Sequence, residues 1–224
     1  MDRYYQTRFT PDPARAAVWA HVAQYLQRWV DPDGELLDLA AGYADFTCAI
    51  GARHKVAIDL NPALVEFVNA DRAARRGSSG EIEAIVADAT DLSSFVDDRF
   101  ATVFASNFIE HLEHPQIDAL LPEVQRVLRP GGRLILVQPN FRLSPRRYFD
   151  DYTHRTIWTD QSLTDLLLAS GFELEHVEAR FLPLSMRSRL SFGHRLVGLY
   201  LRLPYRPLAG QMLVVARTPT EATD

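Results

Sequence analysis

The stretch Glu35-Leu36-Leu37-Asp38-Leu39-Ala40-Ala41-Gly42-Tyr43-Ala44-Asp45 holds a short apolar run, an acid near its end, and a turn made almost wholly of small residues. The run reads as a buried strand. Ala40, Ala41, Gly42 and Ala44 carry at most a methyl group, so the backbone of this turn can come close to a ligand. A helix through Ile50 follows. The same rhythm repeats outward, with predicted strands at 55–59, 81–86, 100–105, 133–137, 172–177 and 211–216. Predicted helices lie between them, at about 61–76, 116–128 and 162–170, and a helix from Pro13 to Val30 precedes them all. Strands alternating with helices at this spacing imply βαβ units and a parallel sheet covered on both faces.

The chain has 224 residues, 47% of them hydrophobic, enough apolar material for one α/β domain and too much for a disordered chain. No linker divides it, so 1–224 is read as a single domain. Within it, 1–33 is an N-terminal helical segment, 35–178 a cofactor-binding core, 180–209 an Arg-rich insertion and 211–217 the last strand. Cys48 is the only cysteine, which excludes an internal disulfide framework and a multi-cysteine zinc site. No secretory signal and no apolar stretch of membrane-spanning length are read, and a cytoplasmic protein is expected. The net charge of −5 speaks against nucleic-acid binding, yet seven arginines and no carboxylate lie between Arg180 and Arg217.

In an open parallel sheet, ligands sit beyond the carboxyl ends of the strands. Asp38, Asp59, Asp88 and Ser106-Asn107 close four successive strands. Asp59 lies where a carboxylate accepts from both hydroxyls of a ribose, and Asp88 where one receives the amine of an adenine. No G-x-x-x-x-G-K-[ST] pattern is present. The turn also lacks the glycines of a dinucleotide site, and Asp45 stands where it would repel a phosphate. S-adenosylmethionine, whose ammonium group favours acids, suits Asp38 and Asp45 better.

This first turn, with Ala57-Ile58-Asp59-Leu60-Asn61, Val86-Ala87-Asp88-Ala89, Ser106-Asn107-Phe108-Ile109-Glu110-His111-Leu112 and Val127-Leu128-Arg129-Pro130-Gly131-Gly132-Arg133-Leu134, resembles the class I S-adenosylmethionine-dependent methyltransferases over about residues 35–178. The resemblance implies a Rossmann-like, doubly wound, mostly parallel seven-stranded sheet with an antiparallel last strand. It also implies that Asp38, Ala40 and Gly42 hold the methionine portion of the cofactor and Asp59 the ribose. Leu60, Asp88 and Ala89 would surround the adenine, with Asn107 near the sulfonium. Ala40 and Ala44 depart from the family, which usually has glycine there.

Methyl transfer from a sulfonium needs an aligned nucleophile and, for a hydroxyl, a base. His111, Asp151 and His154 are the catalytic candidates, with Glu110 beside His111 and His114 read as a solvated loop residue. Asp151 and His154 form either a base with its orienting carboxylate or two ligands of a divalent metal; no metal is predicted. The polar and aromatic loop Tyr148–Arg155 suits a carbohydrate hydroxyl. Its continuation, Thr159–Phe172, resembles a bacterial subgroup of the family associated with glycan and polysaccharide assembly.

The expected activity is therefore O-methylation of a saccharide or saccharide-bearing hydroxyl. The alternatives are a small aromatic, carboxylate or polyketide-type acceptor, or a non-catalytic module that binds the cofactor. The acceptor is a small molecule or glycan, an anionic one being compatible with the arginines. The stretch 180–206 fits a substrate lid, a homodimer contact or a peripheral membrane contact.

Overall fold

The computed structural model describes residues 13–70, 80–184 and 196–220. The end of the predicted third helix (71–76), the loop at 77–79 and Met186, Arg187, Arg189, Leu190, Phe192 and Arg195 of the Arg-rich stretch lie outside these residues.

The strands are β1 (Glu35–Leu39), β2 (His54–Asp59), β3 (Glu81–Val86), β4 (Phe100–Ser106), β5 (Leu128–Pro139), β6 (Glu173–Glu178) and β7 (Gln211–Arg217). They form one sheet in the order β3-β2-β1-β4-β5-β7-β6. Pairing is parallel from β3 through β5, and β7 runs antiparallel to both β5 and β6. The sheet is therefore the expected one, with β7 as the reversed strand. Its order turns around between β1 and β4, so the two chains leaving these strands diverge and open a crevice there.

The helices are α1 (Pro13–Leu26), α2 (Asp45–Ala49), α3 (Pro62–Ala70), α4 (His114–Val127), α5 (Asp160–Ala169) and α6 (Val197–Tyr200). Strand side chains alternate between two cores, as the pleat requires. Leu37, Leu39, Val103, Leu134 and Val214 pack toward Ile117, Leu120 and Val124 of α4 and Leu163 and Leu167 of α5. Leu36, Phe104, Ile135, Val137 and Val215 face Val18, Val22 and Leu26 of α1 and Phe46 of α2. α5 opens with a reciprocal cap: Ser162 N donates to Thr159 Oγ1 (3.1 Å) and Thr159 N to Ser162 Oγ (2.9 Å).

One boundary differs from the sequence reading. Arg129-Pro130-Gly131-Gly132 stops α4 as expected, yet β5 starts at Leu128 rather than 133. Phe100 pairs with Leu128 and Thr102 with Arg133, so the turn bulges out of a continuous strand. Gly131 takes φ +71°, which removes the steric cost of that bulge.

Candidate functional site

Leu39 pairs with Ala105, which sets the ends of β1 and β4 side by side. Past Leu39 the chain turns through left-handed backbone at Ala40 (φ 53°), Gly42 (φ 54°) and Ala44 (φ 52°). The two alanines that depart from the family's glycines thus adopt a conformation that glycine enters freely, at a cost of about 1 kcal/mol or more each. The turn is fixed from the neighbouring strand: Ala41 N donates to Ile58 O (2.9 Å) and Gly42 N to Asp59 Oδ2 (2.9 Å). Asp59 Oδ1 accepts from Asn61 N (2.9 Å). The Asp59 carboxylate, nearly buried, therefore spans the two loops and keeps further lone pairs for a ligand.

Asp38 lies beneath this turn, on the face covered by α2, and accepts a short hydrogen bond from Thr47 Oγ1. Burial pushes its carboxyl up to about 7; Thr47 opposes that shift and Asp59 adds to it. Asp45 is not an open repelling charge, because Arg15 Nε reaches its Oδ2 at 2.6 Å. Leu60 is 52% exposed, a large apolar side chain at the mouth. Asp88 is exposed and its Oδ1 accepts from Thr90 N and Oγ1, while Ala89 is buried. Asn107 takes left-handed backbone (φ 49°), and Gln211 Nε2 at the start of β7 donates to its Oδ1 (2.9 Å).

The second half of the crevice is built where the loop after β5 lies on the loop after β4. Arg155 N and Thr156 N donate to Glu110 O (2.8 and 3.1 Å), and the Thr156 hydroxyl donates to Leu112 O. This seam brings together Glu110, His111, Asp151, Thr153 and His154. Thr153 Oγ1 donates to Asp151 Oδ1 (2.6 Å) and lies 3.0 Å from His111 Nδ1. With its single proton given to Asp151, the hydroxyl can only accept from Nδ1–H. The neutral His111 imidazole then carries its lone pair on Nε2.

That Nε2 stands 3.9 Å from Glu110 Oε1, and His154 Nε2 stands 4.0 Å from the same oxygen. His154 is wedged edge-on between His111 and Tyr148, with ring centroids at 4.9 and 4.8 Å. The Glu110 side chain is fully buried, and neither carboxyl oxygen meets a hydrogen-bond partner in another described residue. Burial raises its carboxyl to about 8, and the Asp151 charge adds to the shift. Tyr148 is likewise pushed up by burial and by Glu110, and its hydroxyl donates to Thr156 O (2.7 Å).

Glu110, His111 and His154 offer three ligand atoms within 4.8 Å of one another. Groups bound to one metal at about 2.1 Å and at tetrahedral angles stand roughly 3.4 Å apart. Groups hydrogen-bonded to one oxygen at about 2.8 Å stand about 4.6 Å apart. The two spacings to Glu110 Oε1, 3.9 and 4.0 Å, fall between these values, wider than a formed metal site and tighter than a shared hydrogen-bonded oxygen.

Residues 36–132 match the family model described as a methyltransferase domain. A demethylmenaquinone methyltransferase of Clavibacter sepedonicus is 36% identical over 172 residues, covering 63% of this chain and 66% of the relative. The chain carries, over residues 36–132, an S-adenosylmethionine-dependent methyltransferase domain. A ubiquinone/menaquinone biosynthesis C-methyltransferase of Pseudomonas putida is 33% identical over 121 residues, 50% of this chain and 46% of the relative. The chain thus spans about half the length of that relative. An S-adenosylmethionine-dependent methyltransferase structure from Archaeoglobus fulgidus shares the fold, with a TM-score of 0.65, 20% identity and coverage of 91% and 94%.

The cofactor of this methyltransferase family is S-adenosylmethionine, and the residues present fit it. Left-handed methyl-bearing backbone permits close approach, Asp59 offers a carboxylate to hydroxyls and Leu60 an apolar surface. Asp38 is an acid buried beneath that turn. The structure joins Asp151 to His111 through Thr153. Thr153 was missed altogether, since a threonine in a polar loop carries no signal of its own. Glu110, placed beside His111 by the sequence, is a buried acid facing two imidazoles. His114 is the first residue of α4, its ring 5.9 Å from that of Trp158.

Proposed function

We propose that this chain transfers a methyl group from S-adenosylmethionine to an acceptor whose hydroxyl is deprotonated at His111. The observation that carries the reading is the Asp151–Thr153–His111 relay, which leaves Nε2 as the basic nitrogen beside the mouth marked by Asn107. When bound, the cofactor supplies a methyl carbon already activated on a positively charged sulfur. Asp59 would hold the ribose hydroxyls, Leu60, Asp88 and Ala89 would surround the adenine, and Asp38, Ala40 and Gly42 would take the methionine portion.

At neutral pH Glu110 is mostly protonated, so it does not draw a proton onto the imidazoles before the acceptor arrives. His111 Nε2 takes the hydroxyl proton as the acceptor oxygen turns nucleophilic, and the resulting imidazolium is stabilised by Asp151 through Thr153.

Two acceptors share this chemistry. The first is a saccharide or saccharide-bearing hydroxyl methylated on oxygen, which the polar loop around Asp150, Asp151 and Arg155 favours. The second is a hydroquinone-type ring methylated on carbon, favoured by the relatives named for menaquinone and ubiquinone biosynthesis. The exposed rings of Phe149 and Tyr152 suit either one, by stacking on a sugar face or on an aromatic ring. A cytoplasmic setting, which the lone Cys48 favours, belongs to the same proposal.

The test is incubation with methyl-labelled cofactor and a panel of saccharides, lipid-linked saccharides and reduced quinones, with the methylated atom located by NMR. His111→Ala is expected to lower turnover at least about a hundredfold while leaving the dissociation constant of S-adenosylhomocysteine within about twofold. Unaltered turnover in that variant overturns the assignment of the base.

A further inference from the structure

Residues 196–203 form α6 and one further turn, held by Leu201 N to Val197 O (2.9 Å), Arg202 N to Leu199 O (3.0 Å) and Leu203 N to Tyr200 O (3.1 Å). Val197, Tyr200 and Leu201 pack inward on the α1 core. The outward side of such a surface helix is ordinarily polar. Here Leu196, Leu199 and Leu203, at i, i+3 and i+7, face out with 58%, 62% and 38% of their surface exposed. Leu208 extends the patch: it is 89% exposed in left-handed backbone (φ 58°), next to Pro207, whose carbonyl accepts from Tyr200 Oη (3.0 Å). Tyr205, 63% exposed, lies under the Arg180 guanidinium at 4.9 Å.

The patch is held in place by a buried ion. Arg206 reaches Leu201 O (2.7 Å), the Tyr25 hydroxyl (3.1 Å) and the Glu178 carboxylate. This clamp ties the insertion to α1 and β6. Its far end continues into Gln211, which holds Asn107 at the crevice, so the patch belongs to the same side of the molecule as the candidate site.

We propose that this face docks on an anionic lipid surface, with Leu196, Leu199, Leu203 and Leu208 entering the interface and Arg180 and Arg202 facing the headgroups. The charge decides the partner. Residues 196–210 carry no carboxylate, Arg202 is exposed among the leucines and Arg180 lies beside Tyr205, whereas Arg206 is held by Glu178 and Arg217, at the other end of β7, by Glu173. Two copies meeting face to face through this surface would bring like charges together, since a two-fold contact pairs a patch with itself. An anionic lipid surface neutralises the arginines and takes up the leucines at the same time.

The docking does not rest on the methyl-transfer reading, and it is measured without cofactor or acceptor. The whole chain is sedimented with vesicles of phosphatidylglycerol and phosphatidylcholine, and separately with pure phosphatidylcholine. Partitioning is expected to be at least about tenfold stronger on the anionic vesicles and to weaken with added salt. Leu199→Ser combined with Leu208→Asn is expected to lower it about tenfold or more with an unchanged urea midpoint, both side chains being mostly exposed. Arg202→Glu, at a single exposed position, is expected to weaken it several-fold. Equal partitioning on both vesicle types, or partitioning unmoved by the leucine variant, overturns the proposal. So does a dimer in solution that the leucine variant dissolves, which would assign the face to a second copy of the chain.

Discussion

Replacing Glu110 by Gln isolates the buried acid from the rest of the site. In the folded chain its carboxyl is raised from 4.5 to about 8, chiefly by burial. Between those values the folded protein holds a proton that the unfolded chain has released. The associated stability is therefore fully present below the unfolded value and lost as pH rises through the folded one. The slope approaches about 1.4 kcal/mol per pH unit, and by pH 7 the loss attributable to this one group is about 3 kcal/mol. Glutamine has the same shape and never ionises. Glu110→Gln is thus expected to match the parent at low pH and to exceed it by about 3 kcal/mol at pH 7, with the gap widening steadily in between.

Asp38, raised to about 7 by its own burial, tilts both proteins' profiles equally and drops out of the difference. Urea unfolding at pH 5, 6, 7 and 8 reads the gap directly as a divergence of midpoints at constant slope. Parallel pH profiles would refute the reasoning. A variant weaker than the parent at pH 7 would also refute it, because the carboxylate would then be held ionised by the imidazoles of His111 and His154.

Three further outcomes are expected. Asp59→Asn puts an amide where Gly42 N and Asn61 N each donate to a carboxylate oxygen, and calorimetry with S-adenosylhomocysteine should read a loss of about 1–3 kcal/mol in affinity. Ala40→Gly exchanges left-handed strain at φ 53° for glycine's greater chain entropy, a net gain of about 0.5 kcal/mol in urea unfolding; a loss above about 1 kcal/mol would show that the methyl packs better than it strains. Arg206→Ala leaves the nearly buried Glu178 carboxylate without its guanidinium, and denaturant titration should report a loss of about 3–5 kcal/mol.

The sheet was legible because its causes are local. Apolar runs of five to seven residues such as Glu35–Leu39 and Gln211–Arg217 form buried strands wherever small-residue turns and helices separate them. The acids and amides closing those strands were legible for the same reason, since a residue at a strand end in a parallel sheet has only one place to be. The bulge at Arg129–Gly132 was half legible: the turn residues announced it, but only the pairing of Phe100 with Leu128 made it part of one strand.

What the amino-acid sequence determined by itself was therefore the fold class and the residues that close its strands, because periodicity and turn chemistry act over a few neighbours. The tertiary structure alone decided which of those residues act on one another. Thr153 joins Asp151 to His111 across 42 positions, Glu110 loses its water to a loop that arrives from beyond β5, and Arg206 reaches Glu178 and Tyr25 from the far end of the chain. Burial and ionisation depend on what closes over a side chain. In this protein the covering groups come from distant segments, whose meeting no local pattern encodes.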